Sequence, residues 1–204
     1  LKMGRRWQDG DEVITSPLTF VSTNHSLLYE NLSPVFADVD EYLSLDPSAV
    51  EARITDKTRA VMFVGLGGGT GRLEDIIDIC RSHGLALILD AAHMSGTRLR
   101  GQDPGHLADA TCYSFQSVKN LPTADSGMVC FIDPEMDAMA RKMSWLGIDK
   151  DTYSRSSGGA YAWQYKVDHI GFKYHGNSVM AAMALVGLRY LDEDNEHRRL
   201  LKLR

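Results

Sequence analysis

The stretch Ala60-Val61-Met62-Phe63-Val64, followed by Leu73, Ile76, Ile77 and Cys80 and then by Leu85-Ala86-Leu87-Ile88-Leu89-Asp90, decides the fold. The two outer runs are short, continuous and apolar, the pattern of strands buried on both faces. The middle positions are spaced i, i+3, i+4, i+7, with Glu74, Asp75 and Asp78 on the other side and Gly84 just past the end. That is an amphipathic helix with its C-terminal stop. Strand, helix, strand in this order implies parallel pairing through a right-handed crossover.

The alternation continues on both sides. Glu12-Val13-Ile14-Thr15 and Pro34-Val35-Phe36-Ala37-Asp38 read as earlier strands, and Asp46 is placed to cap a helix that begins at Pro47 and runs to about Ile54. Thr111-Cys112-Tyr113-Ser114-Phe115 and Met128-Val129-Cys130-Phe131-Ile132 read as later strands, followed by a helix from Pro134 to about Trp145. The expected fold is α/β, a mainly parallel doubly wound sheet. Residues 149 to 169, where Tyr153, Tyr161, Trp163 and Tyr165 alternate with Ser, Gly and Arg, read as ordered loop. A helix from Ser178 to about Leu191 is apolar almost all round and rich in small residues, so it is expected to be buried, a subunit interface being one place for it. Its continuation, Asp192 to Arg204, is charged and reads as solvated. No repeat or low-complexity linker divides the chain, so residues 1–204 are expected to form a single domain.

Composition removes several classes. With 204 residues, 44% hydrophobic and 24% charged, the chain is neither disordered nor a disulfide mini-scaffold. Lys plus Arg is 22 against 27 for Asp plus Glu, and no segment concentrates basic residues, which argues against nucleic acid as a partner. Cys80, Cys112 and Cys130 are odd in number, lack CxxC spacing and lie in apolar runs. They read as small buried hydrophobes in a reducing, cytoplasmic setting, and no metal is expected. No apolar run approaches the roughly 18 residues of a membrane span, and no h-region follows Leu1 to Arg6, so a soluble, unexported protein is expected.

In open α/β sheets the ligand lies outside the carboxyl ends of the strands. Asp90 ends an apolar strand and is followed by Ala91-Ala92-His93, small residues that let a flat group approach the backbone. Ser114 ends another strand, Lys119 follows it by five residues, and Thr19-Phe20 follows the first strand after Pro17. Singly, each has an ordinary reading: a strand-end Asp caps a turn, a loop Lys is solvated, a lone Phe is core. Together they match the needs of pyridoxal phosphate. That cofactor requires a lysine for its Schiff base, a carboxylate for its pyridine nitrogen, a flat side chain over the ring and hydroxyl donors for its phosphate.

The rival signal is Gly65-Leu66-Gly67-Gly68-Gly69-Thr70-Gly71, between a strand and a helix with acidic Asp90 about 25 residues on. It is a loose match to a dinucleotide fingerprint. No start position gives G-x-G-x-x-G, since the sixth place is Thr70 from Gly65 and Arg72 from Gly67, and two strands precede it. A tight turn passing a ligand or another subunit is the alternative.

The order of segments resembles the fold-type I sugar aminotransferases of the DegT/DnrJ/StrS group. The carrying residues are Gly10 to Ile14, Pro17 to Asn24 and Pro34 to Asp40. They continue through Asp90-Ala91-Ala92-His93, Ser114-Phe115 with Lys119-Asn120-Leu121, the strand at Gly127, and Gly171-Phe172-Lys173-Tyr174 before Ala181-Ala182. The resemblance implies that Lys119 is the Schiff-base lysine, Asp90 the partner of the pyridine nitrogen, Ser114 a phosphate ligand and Phe20 the ring-stacking residue. It places His93 where the family usually has Gln beside the cofactor's phenolic oxygen, a donor here made titratable. His175 or Asn177 falls in the segment that reaches the phosphate of a neighbouring subunit's cofactor, which implies a homodimer with shared active sites. The glycine run replaces a segment that commonly carries His, Tyr and Gln.

The implied reaction moves an amino group from an amino acid, glutamate by family likeness, to a keto nucleotide-sugar. Arg98, Arg100 and Lys173 are candidates for the substrate's phosphates, with solvated surface charge as the plain alternative. Family members are longer, with an N-terminal Gly-Thr phosphate-binding turn and a C-terminal small domain, so this chain reads as the large catalytic domain. Three other readings stand beside this one: a pyridoxal-phosphate sugar dehydratase, in which His replaces the lysine; a non-catalytic or regulatory piece of the same fold; and a nicotinamide enzyme built on the glycine run.

Overall fold

The computed structural model describes residues 1–149 and 165–202. Six strands form one sheet: β1 (Glu12–Thr15), β2 (Ser33–Phe36), β3 (Thr58–Val64), β4 (Ala86–Asp90), β5 (Ala110–Ser114) and β6 (Gly127–Phe131). Their order is β2-β1-β3-β4-β5-β6. The first five run parallel, and β6 pairs antiparallel with β5. This last direction follows from the connection. A parallel partner needs a crossover, usually through a helix, whereas residues 115–126 fold back on themselves as a loop. The expected α/β class and mainly parallel sheet are what the chain adopts.

The helices are α1 (Lys2–Arg5), α2 (Val21–Tyr29), α3 (Pro47–Glu51), α4 (Leu73–His83), α5 (Pro134–Ser144), α6 (Ser178–Gly187) and α7 (Leu191–Lys202). Asp46 caps α3 by accepting from the Ser48 amide, and α3 stops short of the expected Ile54. Helix α4 ends at Gly84, whose φ of 65° lets the Leu85 amide turn back to the Cys80 carbonyl at 2.8 Å. Helix α2 is absent from the pattern-based reading. It has no side-chain cap, and its polar, β-branched sequence shows only Thr23 and Leu27, four apart, as buried positions.

Strand alternation divides the core between the two faces of the sheet. Ile14, Val61, Phe63, Leu87 and Leu89 pack on one side with Leu73, Ile76, Ile77 and Cys80 of α4. Val13, Ala60, Met62, Ala86 and Ile88 pack on the other with Leu27 of α2. Because both faces are covered, the central strands read as unbroken apolar runs.

Three expectations are corrected. Only Cys80 is buried; Cys112 is exposed on the cleft side of β5 and Cys130 is half-buried on the edge strand β6. Helix α6 has no buried residue, with Val179 72% and Leu185 65% exposed, because little among the described residues packs over it. It also ends at Gly187, and α7 is a separate helix whose residues 191–201 are exposed apart from buried Leu191 and half-buried Asn195. Of the expected loop at 149–169, the described part is bridged, with Ile148 paired to Val167 and the Asp149 amide donating to Lys166 at 3.1 Å. Tyr153, Tyr161 and Trp163 lie outside the described residues.

Phe63 is fully buried at the centre of the larger cluster. Phe63→Ala is expected to lower unfolding stability by about 3–5 kcal/mol, read from a urea midpoint at unchanged slope.

Candidate functional site

A cleft of about 600 Å³ opens at the carboxyl ends of the parallel strands. Five residues singled out in the sequence line it together: Phe20, Asp90, His93, Ser114 and Lys119. Each arrives by a different route. Asp90 is the last residue of β4, in register with Val64 of β3 and Cys112 of β5. Phe20 is the first non-helical residue before α2, and it is 75% exposed. An aromatic ring so exposed at a cleft mouth is not core, which removes its ordinary reading.

Asp90 is held at both oxygens. Thr23 of α2 donates its hydroxyl to Oδ2 at 2.7 Å, and the Ala92 amide donates to Oδ1 at 3.1 Å. Thr23 has one hydroxyl hydrogen, spent on Asp90, so the 2.8 Å contact between Thr19 and Thr23 is a donation by Thr19. The two threonines form a directed chain ending on a carboxylate. Each oxygen retains acceptor capacity for a cationic ring N–H. Sequence reasoning named Thr19 only as a neighbour and missed Thr23; the available signal was its i, i+4 spacing to Leu27.

Lys119 stands in the loop between β5 and β6, and that loop is pinned. Its amide donates to the Gln116 carbonyl at 2.9 Å, Phe115 to Ser126 at 2.8 Å and Ser117 to Ala124 at 2.8 Å. Thr123, fully buried, donates its amide to Phe115 at 2.8 Å. Asn120 reaches the Ser95 carbonyl at 2.6 Å and Asn195 of α7 at 3.0 Å. The lysine's backbone is therefore fixed from several directions while its side chain faces the cleft. Ser114 ends β5 opposite Gly127, where a Cβ would come within 2.7 Å of the Tyr113 carbonyl oxygen.

His93 accepts a hydrogen bond at Nδ1 from the Gly67 amide at 3.2 Å. Burial first, then the positive charge of Lys119, holds its imidazolium pKa below the usual value, against the opposing pull of Asp90.

The remaining candidates lie elsewhere. Asn177 caps α6, accepting from the Met180 amide at 3.0 Å, and borders a larger, mainly apolar cavity of about 1240 Å³ on the β6 side. His175 packs edge-on against Trp145 with ring centroids 4.2 Å apart, beside the Lys173 ammonium. Arg98 borders the larger cavity, Arg100 pairs with Glu74 at 2.8 Å, and Lys173 sits over the Trp145 ring at 3.7 Å. None of these lines the smaller cleft.

The glycine run offers no dinucleotide cradle. The amides of Gly65, Gly67, Gly68 and Gly69 donate to Asp90 O, His93 Nδ1, Gly65 O and Leu66 O respectively. A pyrophosphate needs such amides free. Among the described residues no cluster of His, Cys, Asp and Glu could hold a metal ion, and no helix is long and apolar enough to cross a membrane.

An open, mostly parallel α/β sheet with a lysine and an anchored aspartate at its carboxyl rim defines the class. The chain belongs to the DegT/DnrJ/EryC1/StrS aminotransferase family, whose profile matches residues 2–203. It is 38% identical over 190 residues to the spore coat polysaccharide biosynthesis protein SpsC of Bacillus subtilis (strain 168), covering 93% of this chain and 49% of that protein. Helicobacter pylori PseC, an aminotransferase of pseudoaminic acid biosynthesis, superposes with a TM-score of 0.82 at 27% identity, over 90% of this chain and 47% of its own. DesI, solved in the presence of its TDP-sugar product, gives a TM-score of 0.75 at 32% identity, over 89% of this chain and 43% of its own. The chain thus spans about half the length of the relatives it matches.

Thr23→Val removes the donor to Asp90 Oδ2 without changing shape. The expected result is a stability loss of about 1.5–3 kcal/mol, read from a urea midpoint at unchanged slope, with Thr23→Ser restoring it.

Proposed function

We propose that residues 1–204 form the single large, cofactor-binding domain of a pyridoxal-phosphate-dependent aminotransferase. The reading rests on one observation: the lysine, carboxylate, aromatic ring, imidazole and hydroxyl this cofactor would use line one cleft of suitable size. The fit is chemical as well as spatial, because the doubly hydrogen-bonded Asp90 is an acceptor with capacity for a ring N–H. When bound, the cofactor supplies an electron sink for the substrate's carbon.

Each residue has a stated task. Lys119 Nζ would hold the cofactor and, once free, would act as the base that moves a proton at the substrate carbon. Asp90 keeps the proton on the pyridine nitrogen, where loss would remove the sink. Phe20 would cover a ring face, Ser114 would donate to the phosphate, and His93 would donate to a ring oxygen; all three line the same cleft. His175 or Asn177 reaches the phosphate of a second subunit's cofactor. The exposed apolar residues of α6 support a homodimer with shared active sites, since Val179, Met183, Leu185 and Val186 are open in this chain.

The substrate class is a keto nucleotide-sugar, with an amino acid such as glutamate as donor, in amino-sugar and polysaccharide biosynthesis in the cytoplasm. The TDP-sugar in the DesI structure and the polysaccharide pathway of SpsC support this class.

Adding pyridoxal phosphate to the purified chain should produce a visible absorption band that borohydride converts to a covalent adduct on Lys119. Lys119→Ala should show neither, and absence of the band in the unaltered chain would sink the cofactor reading for it. In the active enzyme Asp90→Ala should cost roughly a hundredfold or more in rate, with a much smaller loss of cofactor affinity. Full activity in that variant would remove Asp90 from the mechanism.

A further inference from the structure

The glycine run takes no part in the chemistry above, yet its contacts converge on the segment that carries His93. Gly65 donates its amide to the Asp90 carbonyl at 3.0 Å, Gly67 donates to His93 Nδ1 at 3.2 Å, and Gly68 accepts from the Thr97 hydroxyl at 3.0 Å. Gly67 and Gly68 have φ of 62° and 83°, consecutive left-handed residues that only glycine adopts at little cost. A Cβ on Gly68 would come within 3.0 Å of the His93 carbonyl oxygen. The run therefore lies close against residues 90–97 because Gly65 and Gly68 carry no side chain, while Gly67 serves through its positive φ.

A neutral imidazole has one donor and one acceptor nitrogen. Acceptance at Nδ1 leaves the proton on Nε2. We propose that Gly67 is a positioning residue whose amide holds His93 as the neutral Nε2–H tautomer, presenting that ring to the cleft as a fixed donor toward an oxygen of the bound cofactor's ring. The cofactor part of this rests on the pyridoxal-phosphate reading of the cleft; the tautomer part does not.

The device gives histidine the directionality that a glutamine amide has by construction, and adds a limit in acid. Protonation at Nδ1 turns the acceptor into a donor facing the Gly67 N–H, so the contact breaks. The charged groups facing His93 are Lys119 from the β5–β6 loop and Asp90 from the end of β4; the run itself brings none. Burial and Lys119 together favour the neutral ring over the usual value of 6.5, Asp90 opposing. The folded state therefore prefers the unprotonated form. Its stabilising contribution is complete above the unfolded value and is lost as pH falls through that value toward the lower folded one.

The test is a pH titration of the isotopically labelled chain by NMR, without cofactor, alongside cofactor binding by absorbance. The Gly67 amide proton is expected to shift with the same midpoint as the His93 ring, below 6.5, with His93 in the Nε2–H form at higher pH. A Gly67 amide that stays still while His93 titrates, or an Nδ1–H ring, overturns the proposal. His93→Asn can still accept from Gly67 but has no donor in the Nε2 place, and should weaken pyridoxal phosphate binding about tenfold. His93→Gln, which restores a donor there, should recover most of that loss, and equal binding by both variants overturns the donor role. If the unaltered chain fails to bind the cofactor while Gly67 still follows His93, the cofactor reading falls and the clasp is supported. Binding with a silent Gly67 overturns the clasp alone.

Discussion

Asp90 is the point at which sheet, helix and loop are tied together. Its carbonyl accepts from Gly65 after β3, its Oδ1 from Ala92 and its Oδ2 from Thr23 of α2. A carboxylate at a strand end would otherwise be free to rotate into water. Two donors from different elements restrict it to one orientation, and hydrogen bonds to an ionised acceptor are the stronger kind. The segment that supplies Thr23 also carries Phe20 at its start. Carboxylate and aromatic ring are thus set relative to each other by a single helix entry.

Around that anchor the rim divides its work between rigid backbone and free side chains. The β5–β6 loop is crossed by main-chain hydrogen bonds and joined through Asn120 to Ser95 and α7, while Lys119 projects from it. The glycine run, which carries no charged side chain, lies against the segment bearing His93 and leaves the charges facing His93 to Asp90 and Lys119. A neutral imidazole between a cation and an anion is sensitive to both. That is where a histidine differs most from an amide side chain, which has no charge to lose or gain.

The large features were legible because they are periodic. Leu73, Ile76, Ile77 and Cys80 announced α4, and the unbroken runs at 60–64 and 85–90 announced strands covered on both faces. Helix α2 was not legible, since its burial is confined to Thr23 and Leu27 and its entry lacks a side-chain cap. The expected burial of α6 also failed. An apolar sequence records that a surface is to be covered, but not whether the cover comes from the same chain.

The sequence by itself determined the alternation of strands and helices, the parallel core of the sheet, and which polar candidates follow the strand ends. Periodicity and residue chemistry are local properties, readable within a few turns of chain. Tertiary structure alone decided that Thr23 would donate to Asp90, 67 residues away, and that a glycine amide would meet His93 Nδ1, 26 residues away. It also decided that β6 would run antiparallel and that His175 and Asn177 would sit away from the cleft. Hydrogen bonds of this kind depend on ångström-scale approach between distant segments, which no local pattern encodes.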